Sequence, residues 1–217
     1  MLYTILIVVG LLVLGLIKTL ISLKNDITDY NYIKEYFEKF NKFVDETIKK
    51  KTIGADYNWL VSNSDKTQDI LGEVGIINYS QFNKLYNNVP LILNFVNNVI
   101  STMCDKFISE INIQQIEWCQ TAFLRKLGIL DETIKKSKKR LLNPFYIFTS
   151  GIRFILEIPI YILYSVGLLS TNNKNKITKN IIFKILSGLL SLLTIFSTIM
   201  SVLIGWDEFI EIIKKII

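Results

Sequence analysis

Between Ile185 and Trp206 the chain carries no charged side chain. As a helix this run rises about 33 Å, enough to cross a hydrocarbon core of roughly 30 Å. Only two fates suit such a segment: a membrane span, or a helix buried on every side. Half of the chain is apolar (50% of 217 residues) and its mean hydropathy is +0.36, so a span is the expected fate.

Two further runs fit the same environment. Met1 to Ile17 has no charged side chain, and Lys18 is followed by more apolar residues up to Leu23. No Lys or Arg precedes the run and no small-x-small site follows it, so an uncleaved anchor is expected rather than a signal peptide. Lys18 is expected to snorkel to the headgroups. From Leu141 to Ser170 only Arg153 and Glu157 are charged. Pro144 suits the first turn of an interfacial helix reaching Arg153, with a span from Phe154 to Leu169 kinked near Pro159. Arg153 and Glu157 stand at i,i+4, where an intramembrane ion pair offsets the burial of either charge.

The expected fold is therefore an all-α integral membrane protein with three transmembrane helices and a helical cytoplasmic domain between the first and second. Its parts are an N-terminal transmembrane helix over 1–23, the cytoplasmic domain over 24–143, and the interfacial helix plus second span over 144–170. A third span over 181–206 and a C-terminal amphipathic helix over 207–217 complete it. In that last helix Trp206, Phe209, Ile210, Ile213 and Ile217 share a face opposite Asp207, Glu208, Glu211, Lys214 and Lys215.

Basic flanks orient the spans. Lys18 and Lys24 end the first, and Lys135, Lys136, Lys138, Lys139 and Arg140 precede the second, which places the central block in the cytoplasm and the N-terminus outside. Lys174, Lys176, Lys179 and Lys184 between the last two spans oppose this assignment but are outweighed. Lys, Asn and Ile usage suggests an AT-rich bacterial genome, hence the bacterial inner membrane. Residues 24–143 hold 17 basic and 15 acidic side chains, a balance of +2 within a chain of net charge +6. The excess lysine is juxtamembrane, which suits anionic headgroups of a lipid bilayer and argues against a nucleic-acid partner.

Within the central block the apolar period is helical. Tyr30, Ile33, Phe37, Phe40, Val44 and Ile48 form one stripe, on a helix that no Pro or Gly interrupts between Lys18 and Lys51. Val89, Leu93, Val96, Ile100, Met103, Phe107 and Ile111 form a second, and Ile113, Ile116, Phe123 and Leu127 a third. Ser64 is expected to cap a short helix that Gly72 ends, and Asp131 to cap a basic helix reaching Asn143. No sheet is expected. Tyr57, Trp59 and Tyr79 are a candidate partner surface, with packing beneath a turn as the simpler reading.

Chemistry is limited by what the chain lacks. It contains no histidine, which removes Ser-His and Cys-His nucleophile pairs, HExxH zinc sites and histidine proton shuttles. Cys104 and Cys119 match no metal spacing and, in the cytoplasm, are expected to be reduced. No catalytic residue, cofactor or metal is expected.

Assembly is the remaining signal. Ser187, Ser191, Thr194, Thr198, Ser201 and Gly205 recur every three or four residues and form a small-residue seam along the third span. In lipid such residues let helices approach closely and hydrogen-bond across the contact. The expected function is that of a non-enzymatic structural or adaptor subunit. It assembles through this span, as a homo-oligomer or within one subunit, and presents its helical domain to a cytoplasmic protein partner. The alternative is an oligomeric channel or membrane-perturbing effector.

Overall fold

With neither Pro nor Gly beyond Gly15 to interrupt it, the N-terminal segment forms a single helix, α1 (Leu2–Lys50), in the computed structural model of the protein. The structure describes residues 2–50, 56–81, 84–95 and 110–170, together with 177, 178, 180, 181, 185, 188–190, 192–194, 196, 197 and 200. The chain divides into a terminal unit, residues 1–24 with 136–217, and a central unit, residues 25–135. Two helices among the described residues are long and apolar enough to cross a membrane: one within Leu6–Thr47 of α1, the other Pro144–Ser165. The Ile185–Trp206 run falls largely outside the described residues, as do residues 207–217.

In the central unit, α2 (Tyr57–Ser62) and α3 (Ser64–Leu71) follow α1. Asn63, not Ser64, holds the N-cap position of α3. Ser64 Oγ instead donates to the Val61 carbonyl at 2.8 Å. Gly72 ends α3 with φ +57°, a left-handed conformation in which a β-carbon is strained. A 3₁₀ turn (Gly72–Gly75) then leads into β1 (Ile76–Gln81) and β2 (Lys84–Pro90), an antiparallel pair in which Tyr79 faces Tyr86 and Ile77 faces Val89. This hairpin corrects the expectation of a domain without sheet, and it moves Val89 from a helical stripe into a strand. A bulge lies between Ile77 and Tyr79. Asn78 Oδ1 accepts the backbone N–H of Asn88, a residue with positive φ, at 2.7 Å. A side chain thus closes the backbone where the ladder is irregular.

Gln68 joins this hairpin to the helices. Its Nε2 donates to the Gly75 carbonyl at 2.9 Å, and its Oε1 accepts the N–H of Ile92 at 3.0 Å in α4 (Leu91–Asn94). Residues 96–109 lie outside the described residues, and with them most of the second stripe and Cys104. The chain continues in α5 (Glu110–Arg140). Asp131 caps nothing there. It sits inside α5 and pairs with Lys135 one turn on, at 2.6 Å.

Aromatic rings fill the core of the central unit. Phe123 of α5 is fully buried, with Tyr36, Phe37 and Phe40 of α1 at ring-centroid distances of 5.6, 5.5 and 5.5 Å. Phe95 lies 4.9 Å from Phe40. These separations suit tilted aromatic packing. The stripe read from the sequence places Ile33, Phe40 and Val44 in this core correctly, while Tyr36 and Phe43, both fully buried, widen it by a neighbouring row. The Tyr36 hydroxyl donates to the Leu60 carbonyl at 3.0 Å, so its polar end is satisfied; burial pushes its pKa up. Cys119 is wholly buried, and burial likewise raises its thiol, leaving a small apolar packing group.

In the terminal unit, α6 (Pro144–Ser165) is one helix rather than an interfacial helix followed by a separate span, and it continues through Pro159. Asn143 caps it, its Oδ1 accepting the N–H groups of Phe145 and Tyr146 at 3.0 and 3.2 Å, with Pro144 in the first turn. Where α1 meets α6, both present a glycine. A β-carbon at Gly15 would lie 1.8 Å from the Ile147 carbonyl oxygen, and one at Gly151 would lie 2.0 Å from that of Leu11. Backbone thus meets backbone, and any larger residue at either position forces the helices apart. Leu11, Phe148 and Ile152 pack beside the crossing.

Gly15→Ala is expected to destabilise the pair by about 1–3 kcal/mol or more, the range for overpacked contacts. Gly10→Ala, with no atom within 4 Å of the added carbon, is expected to leave stability unchanged or raised. Thermal unfolding of the detergent-solubilised chain checks both, and equal behaviour of the two variants would contradict the crossing.

Candidate functional site

A lone carboxylate on an apolar helix requires a partner, and in the terminal unit Glu157 has two. Arg153 Nε donates to Glu157 Oε1 at 3.0 Å from one turn back on α6, and Lys18 Nζ of α1 donates to Oε2 at 2.6 Å. The carboxylate side chain is only 6% exposed, so each oxygen spends its charge on a cation that burial would otherwise penalise. The remaining reach of Arg153 goes to the Thr178 carbonyl, 3.0 Å from its Nη2. Lys18 is thereby tied into an ion triad with Glu157 and Arg153. Its Nζ also lies 6.0 Å from the centroid of the Phe154 ring.

This triad forms one wall of a polar cleft of about 480 Å³. Arg140, at the end of α5, faces the same space and rests over the Tyr146 ring, 5.0 Å from its centroid. Hydroxyls of Thr19, Ser22, Ser137, Thr149 and Ser150 contribute to the lining. Some are committed to backbone: Thr19 Oγ1 donates to the Gly15 carbonyl at 2.7 Å, and Thr149 Oγ1 to that of Tyr146 at 3.0 Å. Among the described residues of the lining, Glu157 is the sole acidic side chain, against Lys18, Arg140 and Arg153. The cleft can hold an anion by charge and hydrogen bonding. Among the described residues, no group of three or more His, Cys, Asp or Glu side chains is arranged to hold a metal ion.

The aromatic residues singled out in the sequence fall into two groups. Tyr57 and Trp59 lie on α2 against α1: Tyr57 stacks on Phe43 at 6.2 Å, and Trp59 tilts on Tyr36 at 5.6 Å with Lys39 Nζ 4.8 Å from its ring centroid. Tyr79 belongs to the hairpin, stacked on Tyr86 at 5.0 Å and tilted on Trp118 at 5.4 Å. Of the seam, only Thr194 is described, its Oγ1 donating to the Leu190 carbonyl at 2.8 Å. Ser187, Ser191, Thr198, Ser201 and Gly205 lie outside the described residues.

Sequence reasoning paired Arg153 with Glu157 but left out Lys18, Arg140, Gly15 and Gly151. A usable signal existed. Lys18 and Glu157 are opposite charges, each within an apolar run, and two such charges can neutralise each other if their helices pack. No protein-family model matches the chain, and no curated protein or solved structure matches it.

Removing the carboxylate should strand both cations. Glu157→Met is expected to lower stability by about 3–5 kcal/mol, and Lys18→Met with Glu157→Met together by less than the sum of the two single changes. Denaturation of the detergent-solubilised variants checks this, with additive losses contradicting the triad.

Proposed function

We propose that the protein is a non-enzymatic adaptor of a bacterial inner membrane, which anchors its central unit at the bilayer for a protein partner. One observation carries this reading: the apolar surfaces of α1 and α6 face outward. In the most apolar stretches of these helices only 17% and 28% of residues are buried within the protein. Leu6, Ile7, Val9, Val13, Ile17 and Ile21 of α1 are all about half exposed or more, as is Ile162 of α6. A core helix of a water-soluble protein hides such residues, whereas a span presents them to lipid.

The central unit is built on the opposite plan. Its core of large side chains, Tyr36, Phe40, Phe43 and Phe123 among them, is fully buried, as folding in water requires. An anchored unit with its own core can be presented to a partner without depending on lipid for its fold. The absence of histidine from the whole chain favours an anchoring role over acid–base or nucleophilic catalysis. Assembly through the 181–206 segment, with its seam from Ser187 to Gly205, belongs to the same proposal.

In cells, the chain is expected to stay with membranes through alkaline carbonate washing. A reporter fused after Ile100 is expected to be active only in its cytoplasmic form. Release by carbonate would refute the anchor, and a reporter active only outside would invert the topology.

A further inference from the structure

We propose that the cleft between α1, the end of α5 and α6 is a binding site for the phosphate of an anionic phospholipid headgroup, an inference that rests on the membrane reading above. Three cations from three different helices converge there. Among the described lining residues, Lys18, Arg140 and Arg153 against Glu157 leave two positive charges in excess within one cleft of about 480 Å³. Glu157 engages Lys18 and Arg153 through its two oxygens, while Arg140 is exposed, its guanidinium carbon 5.0 Å from the centroid of the Tyr146 ring. An exposed guanidinium in the lining can pair with two phosphate oxygens through its fork of N–H donors.

Ser22 and Ser150 add hydroxyls to the lining, and hydroxyls beside guanidinium groups suit the remaining oxygens of a phosphate. Placement favours a lipid over a free anion. Lys18 follows the uncharged 1–17 run, and Arg153 lies nine residues into α6, whose following turns expose Ile155, Ile158 and Ile162. A headgroup seated in the cleft leaves its acyl chains beside apolar side chains that otherwise face outward. Basic pockets between spanning helices are a known means of holding anionic headgroups.

The test is native mass spectrometry of the full detergent-solubilised chain with phosphatidylglycerol, phosphatidylcholine or inorganic phosphate added separately. Phosphatidylglycerol is expected to be retained over phosphatidylcholine. Arg140→Gln should weaken its retention by about fivefold, the factor set by ~1 kcal/mol for one basic side chain near an anionic headgroup. Ser22→Asp should weaken it as well, and Lys138→Gln, which removes an equal charge outside the cleft, should not. Equal retention of the two lipids, or an equal loss in Lys138→Gln, would overturn the site. Saturable binding of inorganic phosphate without a lipid preference would assign the cleft to a free anion and overturn the lipid assignment. Carbonate washing reads the anchor separately: a chain that is released by carbonate yet prefers phosphatidylglycerol refutes the anchor and leaves the cleft standing.

Discussion

The approach of Gly15 to Gly151 is the contact on which the terminal unit depends. With no side chain at either position, the backbones of α1 and α6 touch, and a β-carbon on either would sit about 2 Å from a carbonyl oxygen. That closeness is what brings Lys18 within hydrogen-bonding reach of Glu157. Lys18 lies three positions after Gly15 and Glu157 six after Gly151, so the ion triad lies within two turns of the crossing on the same helix pair. Close packing in turn excludes solvent from the carboxylate, which makes its two cations necessary rather than ornamental.

The two units solve different solvation problems. The central unit packs rings inward around Phe123, and Tyr36 and Gln68 satisfy their buried polar ends through Leu60 and through Gly75 and Ile92. Among the described residues of the terminal unit, only a small apolar cluster, Leu11, Phe148 and Ile152, is buried, and large aliphatic side chains of α1 and α6 are exposed. Such a surface is stable against lipid and unstable against water. The proposed membrane location follows from that contrast, and so does the division of labour between an anchor and a presented unit.

Much of the helical architecture was legible in the sequence, because helix length follows from what does not interrupt it. The uninterrupted stretch after Gly15 gives α1, and Asn143-Pro144 gives the start of α6. The hairpin was hidden because its strands, IINYSQ and KLYNNVP, are polar and short, and their alternation is broken by the bulge after Ile77. Gly128 and Asp131 resemble a helix boundary, yet α5 passes through both. Its burial of Phe123, Cys119 and Ile116 outweighs the weak local preference of one glycine and one aspartate. The glycine crossing escaped for another reason. A repeat of small residues is visible within one helix, whereas this contact takes a single glycine from each of two helices far apart in the chain.

Lipid exposure of α1 and α6 is most directly measured by thiol labelling in open membrane sheets. On a Cys104→Ser background, single cysteines replace Val13, Ile162 or Leu85, positions that are 49%, 55% and 70% exposed on the protein surface. A water-soluble maleimide reacts only where water reaches the thiol. The predicted result is rapid labelling at position 85, and none at 13 or 162 until detergent dissolves the membrane. Rapid labelling at 13 and 162 in intact sheets would contradict a lipid-facing surface on these helices.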